Sequence, residues 1–126
     1  PPRRSSDLTP FFFNGNLQNK GYIKNVREDA CVEVPVVATE RGVHSTMPVT
    51  LPEHLALMVD HSARIEELAV QAAITGDPIK VFHAILFDPL TSSVLSMQEI
   101  KDMVQEMLNK NAEYLRYFKS LSIEKI

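Results

Sequence analysis

Residues 52–76 read PEHLALMVDHSARIEELAVQAAITG, and this stretch decides the fold. Pro52 suits the first position of a helix, where its missing N–H costs nothing and its fixed φ is already helical. Glu53 places a negative charge in the first turn, at the positive end of the helix dipole. Leu51, Leu55, Met58, Ser62, Ile65, Ala69 and Ala72 recur at spacings of three and four, which puts them on one face. Leu68 and Ile74 widen that stripe, while Arg64, Glu66, Glu67 and Gln71 fall largely away from it. Gly76 stands where a left-handed residue ends a helix. Such a helix, about 24 residues long, spans some 36 Å, and the C-terminal elements are expected to pack on it.

Downstream, helix starts are marked by capping chemistry. Asp77-Pro78 opens a helix through Phe87 with Ile79, Phe82, Ile85 and Leu86 as its buried side. Asp88-Pro89 opens a short one through Leu95. Ser96-Met97-Gln98-Glu99 is a capping box: the serine side chain takes the N–H three residues on, and the glutamate reaches back. The last helix is expected from Met97 to about Lys119, with Ile100, Val104, Met107, Leu108, Leu115 and Phe118 as its stripe and Asn111 as a polar interruption. An interface between the central and last helices through Leu55, Met58, Ile65, Leu68, Val104, Leu108 and Leu115 follows from these two stripes.

Upstream the signals change to extended chain. Residues 1–10, PPRRSSDLTP, read as a loop or linker; Arg3 and Arg4 are the kind of pair that binds a phosphate or carboxylate, and more often are solvated. Phe11-Phe12-Phe13 has strand character and joins Leu17 in an apolar set. Asn14-Gly15-Asn16 and Asn19-Lys20-Gly21 are turn formers, predicting a hairpin or a bulged strand. Tyr22 and Ile23 begin another extended piece, and residues 25–29 form a polar turn. CVEVPVV at residues 31–37 alternates as a strand does, and Pro35 places it at an edge or introduces a break. Glu33 reads either as a solvent-facing carboxylate or as one lining a site. Glu40-Arg41-Gly42 reads as a hairpin turn and residues 43–49 as a second, weaker strand. The fold class is therefore α+β, with short antiparallel strands in the first half and three to four helices in the second.

The 126 residues suffice for one domain with a core. A net charge of −3 offers nothing to attract nucleic acid or an acidic membrane. No apolar run approaches the roughly 20 residues of a membrane span, and residues 1–10 lack the apolar stretch of a secretory signal. The single cysteine, Cys31, leaves no internal disulfide and fits a cytoplasmic protein. The chain opens on Pro1-Pro2 without an initiator methionine, so we expect part of a longer protein; an engineered or processed terminus is the alternative.

Catalytic signals are few. The four glycines are scattered and form no phosphate loop. His54 and His61, about two turns apart on one helix face with Met58 between them, are too widely spaced to chelate one ion alone. His83 reads as a satisfied, partly buried histidine. Cys31, within a strand, reads as a buried and inert thiol. Ser92 and Ser93 have no base nearby in sequence.

Two stretches carry a resemblance. Asn19-Lys20-Gly21-Tyr22-Ile23-Lys24-Asn25, leading through Glu28-Asp29 to Cys31-Val32-Glu33-Val34-Pro35, resembles the N-x-G-x-I-x-N…DD-x-VVEVP signature of glycoside hydrolase family 4. Residues 66–77, EELAVQAAITGD, and Phe87-Asp88-Pro89-Leu90-Thr91 resemble the QELTVEAALTGD and LDPLT segments of its α-galactosidase branch. Ser93-Val94-Leu95-Ser96 is similar to that branch's AVLSLDEI. The match runs over about residues 14–118. It implies a glycosidase that binds NAD through an N-terminal Rossmann domain and uses Mn²⁺. Such enzymes oxidise the sugar at C3, remove the C2 proton, eliminate the glycosidic oxygen, add water and reduce again. It also implies a C-terminal domain resembling that of lactate dehydrogenase, and a homo-oligomer.

The family's dinucleotide loop, its metal-binding Cys and His and its catalytic base lie upstream of these motifs. Cys31 occupies a usually apolar position and is not the metal cysteine. No catalytic, cofactor-binding or metal residue is therefore carried over. The expectation is that residues 1–126 are a fragment of the C-terminal domain, lacking the Rossmann domain, partnered by the remainder of the enzyme and inactive alone. The alternative is a non-catalytic packing or oligomerisation module. Galactoside, glucoside and uronide are not distinguished.

Overall fold

The computed structural model describes residues 10–123. Its order is β1 (Phe11–Gln18), β2 (Cys31–Thr39), β3 (Gly42–Ser45), α1 (Glu53–Thr75), α2 (Pro78–Leu86), α3 (Pro89–Val94) and α4 (Met97–Lys110). The chain divides into two compact units at residue 60, within α1. The α+β class expected from the sequence is the class observed. Arg3 and Arg4 lie outside the described residues.

In the first unit the three strands form one antiparallel sheet in the order β1-β2-β3. The alternation of β2 is literal: Val32, Val34 and Val36 are buried while Cys31, Glu33 and Pro35 are exposed. The register sets Phe13 opposite Val36, Gly15 opposite Val34 and Leu17 opposite Val32, so these residues share the apolar face.

Four expectations are corrected here. Asn14-Gly15-Asn16 is not a turn; β1 runs through it. Gly15 is there for space: a Cβ would lie 3.0 Å from the Phe13 ring and 3.1 Å from a Val36 methyl. Pro35 does not mark an edge, because β2 is the central strand. β3 pairs only as far as Ser45 with Val36. The Pro35 carbonyl accepts from Thr46 N–H at 3.0 Å on that side, so its missing N–H falls just past the last rung of β3. Cys31 is exposed, not buried: the β2 alternation that buries Val32 turns the neighbouring thiol outward. The weaker strand is also shorter than residues 43–49, running from Gly42, at φ 109° just after the Glu40-Arg41 turn, to Ser45.

The second unit is helical. Asp77 caps α2 by accepting from the Ile79 N–H at 2.9 Å, and Asp88 caps α3 by accepting from the Thr91 N–H at 2.8 Å. Ser96 and Glu99 close the expected capping box on α4. Phe82 of α2 meets Ile100, Val104 and Leu108 of α4 in one buried cluster.

α4 is shorter than its periodicity predicts. It stops at Lys110, where Asn111 leaves the helical region at φ −101°, ψ 12° and its side chain donates to the Met107 carbonyl at 2.8 Å. The chain then folds back, so Leu115, Phe118, Leu121 and Ile123 reach the core from a turn-rich tail. The Gln105 side chain pins this tail, donating to the Leu121 carbonyl at 2.9 Å and accepting from the Ile123 N–H at 3.0 Å. Gly76 ends α1 at φ 63°, and a Cβ there would lie 3.1 Å from the Phe118 Cα.

Within the second unit, the expected packing of α1 on α4 through Ile65 and Leu68 is not among the main contacts. α4 packs on α2 and, to a lesser extent, α3. Leu55 and Met58 are 41% and 65% exposed, and Ile65 and Leu68 are half-buried. The short α2, buried through Phe82 and Ala84, takes the place on α4 that the sequence assigned to the long helix.

Candidate functional site

The most ordered polar feature of the first unit is the loop of residues 19–30 joining β1 to β2. Asn19 is fully buried. Its amide donates to the carbonyls of Ile23, Val26 and Arg27 at 2.9, 2.8 and 3.1 Å, and its Oδ1 accepts from the Ile23 N–H at 2.6 Å. One side chain thus replaces the partners that a buried loop backbone otherwise lacks. Backbone bonds from Asn19 N–H to the Ala30 carbonyl and from Lys20 N–H to the Glu28 carbonyl close the loop at its base. Lys20 and Gly21 turn the chain at φ 43° and 85°. Arg27 and Asp29 form an ion pair at its tip.

Asn25 holds the far side. Its amide donates to the Leu51 carbonyl at 2.8 Å and its Oδ1 accepts from the Leu51 N–H at 3.0 Å. Beside it, Ile23 bridges to Val49 in parallel fashion, through Lys24 N–H to Val49 O and Val49 N–H to Tyr22 O. The two asparagines bracketing Asn19-Lys20-Gly21-Tyr22-Ile23-Lys24-Asn25 are therefore structural clamps that behave like backbone. Sequence reasoning read Asn19 as a turn former and missed its burial. The available signal was an Asn heading a polar stretch that also holds the apolar Ile23, Val26 and Ala30.

The other residues singled out from sequence are dispersed. Glu33 projects to solvent from the exposed face of β2. His54 is exposed, and His61 donates from Nε2 to the Phe87 carbonyl at 2.9 Å. His83 lies half-buried between the rings of Phe82 and Phe87. The Ser92 hydroxyl donates to the Asp88 carbonyl and that of Ser93 to the Leu90 carbonyl, so neither is engaged with a base. Among the described residues, no three His, Cys, Asp or Glu side chains gather as a metal-binding group. A shallow, open depression beside Phe12, Asn14, Pro35 and Thr46 marks the outer face of the sheet.

The carboxylates with displaced titration are helix devices. Hydrogen bonds from the hydroxyl and backbone N–H of Thr91 hold Asp88 below the ordinary carboxylate range, with a small contribution from nearby His61. The Ser96 hydroxyl and N–H do the same for Glu99, and Lys110 for Glu106. The first two contacts cap helix starts, and the third is a pair one turn apart on α4.

A three-stranded antiparallel sheet followed by helices, with a loop clamped by Asn19 and Asn25, is a domain that this chain shares with a family of glycosyl hydrolases. The chain belongs to glycoside hydrolase family 4: the Family 4 glycosyl hydrolase C-terminal domain matches residues 6–91. It is similar to an alpha-galactosidase of Rhizobium meliloti, 35% identical over 100 residues that cover 79% of this chain and 20% of that protein. An alpha-galactosidase of Bacillus subtilis is 33% identical over 110 residues, covering 87% of this chain and 26% of that one. Among solved structures, a 6-phospho-alpha-glucosidase from gut microorganisms, in complex with NAD and glucose-6-phosphate, superposes with a TM-score of 0.73. The identity is 25%, over 88% of this chain and 24% of that one. The chain thus spans about a fifth to a quarter of the length of these relatives. No helix among the described residues is long and apolar enough to cross a membrane.

Proposed function

We propose that this chain is the C-terminal portion of an NAD- and Mn²⁺-dependent α-glycosidase, an α-galactosidase, that cleaves glycosidic bonds by redox-elimination. The observation that carries the reading is the pair of alpha-galactosidases at 35% and 33% identity. The remainder of the enzyme, including its Rossmann domain, is the partner this reading requires, in a cytoplasmic homo-oligomer.

NAD and Mn²⁺ belong to that remainder. What supports this assignment is that Gly21, Gly42 and Gly76 lie apart on separate turns and elements, that His61 bonds the Phe87 carbonyl, and that His83 lies against phenylalanine rings. This chain's own residues contribute the loop clamped by Asn19 and Asn25 and the helices capped by Asp77, Asp88 and Ser96.

Two preparations test the reading: the 126-residue chain and the polypeptide of its complete reading frame, each assayed on p-nitrophenyl α-galactoside with NAD and Mn²⁺. Turnover by the complete polypeptide and none by the 126-residue chain is the expected result. Turnover by the homogeneous short chain overturns the division of labour. A reading frame without an upstream dinucleotide-binding segment favours the non-catalytic packing module instead.

A further inference from the structure

We propose that β1 is a docking edge, and that it receives an extended, apolar segment of the enzyme's remaining polypeptide as an added strand. This rests on the reading above in that it needs such a remainder. β1 is an edge strand, and among the described residues it pairs only with β2. Half of its backbone N–H and C=O groups therefore point away from the sheet with no strand to meet them.

Edges that face water are normally guarded by charge, by proline or by shortness. β3, the opposite edge, has only four residues. β1 has eight, FFFNGNLQ, and no charged residue among them. Its aromatic end is open on both faces: Phe11, Phe12 and Phe13 are 59%, 67% and 39% exposed. The rings of Phe11 and Phe13 stack at 5.5 Å on the face shared with Val36. Phe12 stands on the other face beside Asn14 and Pro35.

The row of backbone donors and acceptors selects an extended peptide over a helix. Rings on both faces select alternating apolar side chains, and the absence of charge leaves nothing to select a charged partner. A second copy of β1 fits poorly. At full overlap, antiparallel self-pairing sets Phe11 opposite Gln18 and Phe13 opposite Asn16, so polar side chains meet the aromatics, and the register that pairs the aromatics with each other overlaps only Phe11, Phe12 and Phe13. The relatives, of which this chain spans 20–26%, show that a family polypeptide has ample further chain, held at high effective concentration by covalent linkage.

Amide hydrogen exchange on the complete polypeptide tests this. The outward amides of β1 are expected to exchange at least ~10-fold more slowly than those of Gly42–Ser45 on the other edge. Phe12→Lys or the milder Asn14→Lys is expected to remove that protection, and Glu33→Lys, exposed on central β2, to leave it intact. Equal exchange at the two edges overturns the proposal. Protection that rises with protein concentration alongside a doubled mass assigns the edge to a second copy and also overturns it. Turnover of the aryl galactoside is scored separately: a protected edge without turnover sinks the glycosidase reading and leaves the docking edge standing, and the converse result does the opposite.

Discussion

The two units solve the same problem differently. The second closes its core from its own chain: Phe82, Ile100, Val104, Leu108 and Ile123 are each at most 4% exposed, and each helix start after α1 carries a side-chain cap. The first buries Val32, Val34 and Val36 on its central strand but leaves three consecutive phenylalanines uncovered on an edge. Its internal order comes instead from amide side chains, Asn19 and Asn25, bonded to backbone. Single apolar side chains are exposed in both units, Ile74, Leu90 and Val94 in the second among them; what sets the first apart is a contiguous aromatic run on an edge strand, and such a patch marks an interaction surface.

Substitutions can break that comparison, and the largest effect belongs to the second unit. Phe82→Ala removes the ring at the centre of the cluster and is expected to cost about 3–5 kcal/mol in chemical denaturation. A loss under ~1 kcal/mol would mean the cluster tolerates the cavity and does not carry the unit.

Next comes the polar hub. Asn19→Leu keeps the branched heavy-atom outline but strands the carbonyls of Ile23 and Val26 and the N–H of Ile23. Each buried group left alone costs about 1–3 kcal/mol. A loss of about 3 kcal/mol, the low end for three such groups, with accelerated exchange confined to residues 19–30, is the expected result. A loss spread evenly over the sheet would show that the hub orders more than its loop.

These two sites also show what was legible in the sequence. The caps could be read because Asp-Pro and Ser-x-x-Glu act locally: Asp77, Asp88 and Ser96 do what their neighbours alone dictate. The β2 alternation was legible for the same reason. What depended on distant chain was not. Asn111, Leu115 and Phe118 continue a helical spacing, yet the helix ends at Lys110 because the tail returns to the Phe82 cluster through Gln105. Gly15 resembled a turn signal, but the bulk it avoids, Val36, sits on another strand. The burial of Asn19 depends on carbonyls four to eight residues ahead, beyond the reach of turn propensity. The family, by contrast, was legible in motif order, although its motifs name no reactive residue.

A smaller effect tests the caps. Ser96→Ala is expected to cost about 0.5–2 kcal/mol. The same cap has a pH signature. Ser96 lowers the Glu99 carboxyl below its unfolded value, so the contribution is complete above the ordinary glutamate range and fades as pH falls through the lowered one. Stability should decline on acidification, and Ser96→Ala should flatten that decline. An unchanged acid limb in the variant would detach Glu99 from the cap.

The smallest effect is the most informative about α1. Met58 reads from sequence as a core position, in register with Leu55, Ser62 and Ile65, yet it is 65% exposed, and Leu57 beside it is 73% exposed. A methionine in that setting contributes little to folding, because water already reaches most of its surface. Met58→Ala in the 126-residue chain should therefore change stability by no more than about 0.5 kcal/mol. In the complete polypeptide the same substitution is expected to cost more, about 2 kcal/mol or above, if added chain covers this face. The sequence periodicity of α1 is then explained as a stripe written for a surface supplied by the rest of the enzyme. An equally small change in both preparations would leave the stripe without a partner, and would limit the proposed docking surface to the β1 edge.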